Sequence, residues 1–416
     1  MAVEFGRKLG ETTADHTEGF VNFARMREER ATKARAAMRA NTLPVCLLCK
    51  PENIRYVTGT KYFEFLKQIR YALAFVEHDS ILYEPLGNPT GECSWIKTEN
   101  RRLSSHWAEQ SPGRDATWNM AKRFAMGIKS ELKQKGLEKE RLGVDELDEP
   151  ARQALKEAGI EIVNAMPVML EARAVKTQDE INCLHKAAVI ADTAHYALYK
   201  AIKPGVRERD ISAVGMEALL RAGAETVWSV TVASGGYIGG RSVNSDRIMQ
   251  VGDVVTVDIC RATYMGYNTC CYRNYIVGRK PTDKEIEMHK KSYERIYKIM
   301  DAIKPGVTTA DVAKHWVTAK ERGLPSEEYM WMDDLEHGIG LSLYEYPITN
   351  RLWSFDYPQT FEKGMTMAVE AMEFDPAVGR TKLEEMLVVT DTGVEIFTRM
   401  PVKDMMIASP IVTAER

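Results

Sequence analysis

The spacing of apolar and polar positions changes along this chain and marks out helices and strands. Glu18–Ala40, rich in Ala, Arg, Glu and Met, has the pattern of an amphipathic helix. Leu43–Cys49 is a short apolar run that ends at Lys50-Pro51-Glu52-Asn53, which predicts a strand followed by a turn. An aromatic stretch with Tyr62, Phe63 and Phe65 comes next. Tyr71–Val76 and Ser80–Tyr83 predict paired strands, Trp118–Lys135 a helix and Arg141–Val144 a strand. Glu149–Ala158 predicts a helix closed by Gly159, and Ile160–Val163 a final strand. Alternating strands and helices predict an α/β domain over residues 1–172.

Residues 173–416 form the second predicted domain, of α+β type. Thr177 with Glu180 three positions later has capping-box spacing and opens a long helix. The hexapeptide AIKPGV occurs twice, at Ala201–Val206 and Ala302–Val307. Each copy ends a long helix (176–203 and 283–304) and precedes a second one (208–222 and 309–322). Two helix-pair-plus-strand units related by a pseudo-two-fold axis are therefore expected, with a site at their junction.

Composition narrows the function classes. The 416 residues carry a formal net charge of −3, which gives no reason to expect nucleic acid or an anionic membrane as partner. No apolar run approaches the ~20 residues that span a bilayer. The polar N-terminus lacks a signal-peptide core, so the cytoplasm is the expected compartment. Seven cysteines are read as thiols rather than a disulfide framework.

Chemistry concentrates in four segments. Val254–Arg273 reads as a β-hairpin, with Asp258 on the first strand and Cys270 and Cys271 on the return strand. His337 lies in a Gly-rich segment that leads to Tyr344-Glu345-Tyr346-Pro347. Glu370 interrupts the apolar strand Met365–Met372, and Glu384 or Glu385 opens the last strand. An ionised Glu inside an apolar strand costs several kcal/mol unless it is paired or metal-bound. Asp, His and two Glu suit Zn, Mn or Fe. The alternative, turn and cap acids without ligand duty, applies to each residue taken singly.

These residues carry a resemblance. The repeat, HGIGL followed by EYP, VE within a strand and KLEEM…VTDTG resemble the pita-bread fold of the creatinase, Xaa-Pro aminopeptidase and methionine aminopeptidase family. NIRYVTGT and RYALAFVEHDSILY are similar to the smaller domain of its two-domain members. The resemblance implies metal ligands at Asp258, His337, Glu370 and Glu384, with Cys270 in place of the second Asp that bridges two ions. It also implies a homodimer. The second His of the proline peptidases falls on Tyr344. Their upstream loop His is missing from Ala233–Asp246, and the catalytic His of creatinase after the Ser-Gly segment is missing too, with Ser242 nearest its place. Peptidase activity is accordingly not expected.

Two other branches fit better. Creatinase hydrolyses a guanidino C–N bond without metal, and its smaller domain contributes a substrate-binding Arg whose place is close to Arg70. The dimethylsulfoniopropionate lyase has Asp-x-Asp and a third Asp ten residues on, positions read here as Asp258-Ile259-Cys260 and Cys270. The expected activity is hydrolysis of a non-peptide C–N bond by His337, Glu370, Glu384 and Tyr344. A β-eliminating lyase and a catalytically silent binding module are the alternatives. One divalent ion (Zn, Fe or Mn), held by Asp258, Cys270, His337, Glu370 and Glu384, and no ion at all both stay open. The thiols of Cys260, Cys270 and Cys271 are space fillers, soft ligands, or a nucleophile activated by His337 or Arg273. Arg70, Tyr267 and Tyr346 are expected to bind a small-molecule substrate. Tyr237, Tyr264, Tyr272, Trp331 and Trp353 are further candidates for an aromatic lining, and Asp333, Asp334 and Glu336 add negative charge that favours a cationic ligand.

Overall fold

The computed structural model describes residues 21–61, 70–85, 95–105, 107, 110–235, 244–330, 335–375 and 378–410. The stretch with Tyr62, Phe63 and Phe65 lies outside them, as do Tyr237, Ser242, Trp331, Asp333 and Asp334. The chain divides into two units, Met1–Arg173 and Ala174–Arg416.

The first unit contains α1 (Phe23–Ala40), β1 (Val45–Leu48) and α2 (Pro51–Thr58). It continues with β2 (Tyr71–Phe75), β3 (Ile81–Glu84), β4 (Arg101–Leu103), α3 (Arg114–Gln134), β5 (Leu142–Val144), α4 (Glu149–Glu157) and β6 (Ile162–Asn164). Its six strands lie in the order β4-β3-β2-β1-β5-β6. The core beside the sheet is built from Leu47, Leu73, Trp107, Phe124 and Leu155. One expectation fails here: Lys50–Asn53 is not a turn. Pro51 sits in the first turn of α2, where a missing N–H costs nothing, and Gly59 at φ +73° ends the helix.

A linking helix α5 (Met166–Ala174) leads to the second unit. There α6 (Gln178–Ala201) and α7 (Glu208–Arg221) precede β7 (Thr226–Ser234), β8 (Val254–Tyr264) and β9 (Tyr267–Val277). Then α8 (Asp283–Ala302) and α9 (Thr309–Ala313) precede β10 (Glu336–Gly338), β11 (Glu345–Thr349), β12 (Thr366–Asp375), β13 (Gly379–Val389) and β14 (Val394–Ile396), with β15 (Met406–Ala408) last. The sheets run β15-β9-β8-β7 and β11-β10-β12-β13-β14. Two helix pairs, each leading into a sheet, match the internal repeat. Capping boxes at Thr177/Glu180 and Thr282/Glu285 start the two long helices. The fourth helix is shorter than its expected 309–322 span. After Ala313 the chain turns so that Trp316 enters the core and its indole N–H donates to the Glu370 carbonyl at 2.9 Å.

The two sheets are stitched where β13 meets β8 and β9. Arg273 donates to the Glu384 carbonyl at 2.7 Å, and Thr256 Oγ1 donates to the Arg380 carbonyl at 3.2 Å. The Lys382 N–H donates to Asn274 Oδ1 at 3.1 Å. This seam brings the candidate residues together.

Candidate active site

Strand alternation decides which side chains meet. Asp258 and Cys260 stand two apart on β8 and share a face. In register, Asp258 opposes Tyr272 and Cys260 opposes Cys270, so all four side chains project to one side of the hairpin. On the second sheet, Glu370 of β12 opposes Glu384 of β13, and His337 of β10 opposes Ala368 of β12. Donor atoms of Cys270, His337 and Glu384 lie within 4.8 Å of one another, and so do those of Asp258, Cys260 and Cys270. Cys270 belongs to both sets.

The same alternation separates Glu384 from Glu385. Glu385 faces the other way, accepting from Arg273 Nη2 at 2.7 Å and from Thr398. Cys271 also lies on the far face, its sulfur 3.4 Å from His195 Nε2. Burial pushes its thiol well up, despite the lowering influence of Arg273. Cys270 is likewise held well up by its hydrogen bond to Cys260 and by burial. The thiolate nucleophile considered from the sequence finds no support in these surroundings.

His337 is buried, and its Nδ1 is 3.1 Å from the Gly338 carbonyl. That contact needs Nδ1–H as donor, so in the neutral ring Nε2 carries a lone pair. Burial lowers the imidazole's proton affinity. Nε2 faces Glu384 Oε1 at 3.6 Å, and both side chains are almost wholly buried. Among the described residues no N–H or O–H donor reaches either Glu384 carboxylate oxygen or Asp258 Oδ1. Burial pushes both carboxyls up, Asp258 further through the nearby Glu384, whereas Lys382 pulls Glu384 down. With only the Cys270 thiol donating toward Glu384, the facing Nε2 and Oε1 acceptors call for a shared proton or a cation. The donors present, thiol, imidazole and carboxylate, fit a borderline-soft divalent ion.

Glu370 does not join either close donor set. Its Oε2 meets Lys382 Nζ at 2.9 Å, with both side chains buried. Lys382 also lies 4.7 Å from the centroid of the Tyr272 ring. The chain's own ammonium therefore takes one aromatic face that the sequence reading offered to a cationic ligand. Lys382 was missed, although a cation two residues before Glu384 in a wholly buried strand was a usable signal.

The tyrosines divide. Tyr344 is 41% exposed, and its ring centroid is 4.5 Å from that of His337, so it borders the site from the solvent side. Tyr267, expected on the substrate, is fully buried and donates to Glu180 Oε1 at 2.9 Å, which makes it a structural residue. Tyr346 packs against the core around Ile296, Phe361 and Leu383. Trp353 donates to the Ile348 carbonyl. Glu336 is buried and accepts from Thr349. In the first unit, Arg70 donates to the Lys61 carbonyl and to Glu84 Oε1, both at 2.5 Å.

The fold, with buried Asp, Cys, His and Glu side chains gathered where its sheets meet, is that of a metallopeptidase-type scaffold. The chain belongs to metallopeptidase family M24, matched over residues 182–391, and residues 30–175 match the creatinase/prolidase N-terminal domain. It is 29% identical over 237 residues to an Xaa-Pro dipeptidase of Pyrococcus furiosus, covering 56% of this chain and 65% of that protein. The match thus spans under two-thirds of the dipeptidase's own length. Longer matches are to a dimethylsulfoniopropionate lyase of Roseovarius nubinhibens, 26% identical over 395 residues (91% of this chain, 86% of the relative), and a creatinase of Bacillus sp., 22% identical over 391 (89% and 90%). The prolidase of Pyrococcus horikoshii superposes with a TM-score of 0.72 at 23% identity, covering 91% of this chain and 100% of that one, which shows the pita-bread fold.

Proposed function

We propose that this protein is a small-molecule enzyme that hydrolyses a non-peptide C–N bond in the manner of a creatinase. The observation that carries the reading is the buried Glu384–His337 pair, 3.6 Å apart, beside the Cys270 thiol, at the position where the family resemblance expects the shared carboxylate of a two-ion peptidase. Glu370, engaged by Lys382, is not free to complete a second ion's shell. Matches along nearly the whole chain to a creatinase and a lyase support a non-peptidase branch.

In this reading Glu384 takes a proton from water as the oxygen bonds to the substrate carbon. The same proton passes to the departing nitrogen as the C–N bond breaks, giving an amine and a hydroxyl-bearing product. His337, held through Nδ1, keeps Nε2 directed at this exchange, and Tyr344 closes the solvent side. The Lys382 ammonium, 2.9 Å from Oε2, holds Glu370 in position and opposes the upward push of burial on its carboxyl. A divalent ion, if carried, would be held by Cys270, His337 and Glu384 and would supply Lewis-acid polarisation of the substrate. The assembly proposed is a homodimer, with Arg70 serving substrate binding; sedimentation velocity tests the first and Arg70→Ala the second through KM.

A β-eliminating lyase is the second reading, favoured by the Asp258–Cys260–Cys270 set and the match to the dimethylsulfoniopropionate lyase. Turnover in oxygen-18 water separates the two, because hydrolysis places label in the product and elimination does not.

A further inference from the structure

The register of the hairpin contains a one-residue irregularity with a chemical consequence. Thr263 opposes Asn268, but Cys260 opposes Cys270, so β8 holds one extra residue between these pairs. This is a β-bulge. Arg261 at its centre has φ +57°, a left-handed conformation that an arginine seldom adopts. The bulge is pinned from two sides: the Ala262 N–H donates to Thr269 Oγ1 at 3.1 Å, and the Arg261 guanidinium lies 4.4 Å from the Trp228 ring centroid. Without the extra residue, the pairing of Thr263 with Asn268 would continue to place Cys260 opposite Cys271 and Asp258 opposite Arg273. Cys260 and Asp258 would then share the face that holds Arg273 and Cys271. The bulge puts Cys260 and Asp258 on the face of Cys270 instead.

We infer that Cys260 and Cys270 are a paired sulfur donor set for one divalent ion of borderline-soft character, zinc being the chemical type. Their sulfurs and an Asp258 oxygen lie within 4.8 Å of one another, and Cys270 in turn lies within 4.8 Å of the His337 and Glu384 donors. Tetrahedral zinc accepts sulfur at ~2.3 Å together with nitrogen or carboxylate oxygen, which matches the donor types gathered here. A hard ion such as magnesium or manganese would be disfavoured by two thiolates. Asp258 Oδ1 and the Glu384 oxygens, buried and reached by no N–H or O–H donor among the described residues, are the second, independent sign that a cation belongs beside these sulfurs. Ion uptake would release the thiol protons to solvent as the metal–sulfur bonds form.

The test is cobalt(II) titration of the reduced full-length protein without oxygen, read by thiolate-to-cobalt charge-transfer absorption. The expected result is one ion per chain with a band of two-sulfur intensity. That intensity should fall to about half in Cys260→Ser and vanish in Cys260→Ser/Cys270→Ser. X-ray absorption of the unaltered zinc-loaded protein gives the same count without relying on a variant's folding: two sulfur scatterers at ~2.3 Å are expected. Cobalt binding without the band, an unchanged band in Cys260→Ser, no cobalt binding, or a zinc shell of nitrogen and oxygen alone would each overturn the inference. None of these readouts involves turnover, so the inference can fail while the hydrolase reading stands, and the reverse.

Discussion

Replacing Lys382 by Met removes one charge from a buried pair and nearly keeps the side-chain volume. The Lys382 and Glu370 side chains are 5% and 6% exposed, and their charged atoms are 2.9 Å apart, so water screens them little. Glu370 also opposes Glu384 across the strand pair, so losing the ammonium leaves two carboxyls facing each other in a low dielectric. Removing one partner of such a pair costs about 3–5 kcal/mol, whereas replacing both by apolar groups is often close to neutral. Lys382→Met alone should therefore lower stability by about 3–5 kcal/mol, and Lys382→Met/Glu370→Met should recover most of it. The sign with pH follows. Burial already raises the Glu370 carboxyl, and Lys382 is the main influence pulling it down. In the variant the folded-state carboxyl rises further above its unfolded value. Its contribution is then greatest below the unfolded value and is lost as pH rises toward the folded one, at up to about 1.4 kcal/mol per pH unit. Urea unfolding at several pH values measures this. Trp316 provides a nearby fluorescence reporter, since its indole donates to the Glu370 carbonyl. Single-variant costs that simply add in the double variant, to within about 0.5 kcal/mol, would show that the pair is not the desolvated contact described here.

Three further outcomes are expected. Glu384→Gln should lower kcat by about 10²–10⁴-fold once a substrate is found, while circular dichroism stays unchanged. Gly338→Ala should disrupt the β10–β11 pairing and abolish activity, because an added Cβ would lie 2.6 Å from the Glu345 and Tyr346 carbonyl oxygens, which are backbone and cannot swing aside; soluble, fully active protein would contradict this. Burial lowers the proton affinity of His195 and His289, so the unfolded state binds more protons than the folded one just below neutrality. Stability should then fall as pH drops below about 6.5, by up to about 1.4 kcal/mol per pH unit for each ring. His289→Gln should flatten that slope in chemical denaturation, and an unchanged slope would contradict the assignment.

How far the site was legible depended on the kind of signal. Asp258, Glu370 and Glu384 stand out because a carboxylate inside a β-branched or apolar run needs a compensating partner. The repeated AIKPGV marked both long helices, since Pro-Gly ends each in the same context. What could not be read was the bulge at Arg261–Ala262. It has no Gly to announce it, yet it decides whether Cys260 shares a face with Cys270. The partner of Glu370 was missed for a different reason. Lys382 lies on another strand, diagonal to Glu370, and only the β12–β13 register brings them together. The short α9 shows tertiary packing overriding local propensity, as burial of Trp316 outweighs continuation of the helix. Tyr267 was misassigned because a tyrosine beside a turn gives no sign that Glu180, distant in sequence, will take its hydroxyl.

The most direct test of the central claim is product analysis in oxygen-18 water. Guanidino acids and other small non-peptide amidines should be assayed beside Xaa-Pro dipeptides. The account predicts one oxygen-18 atom in the product for each C–N bond broken in a non-peptide substrate, with Xaa-Pro dipeptides left intact. An unlabelled, unsaturated product, or turnover of Xaa-Pro dipeptides, would contradict it.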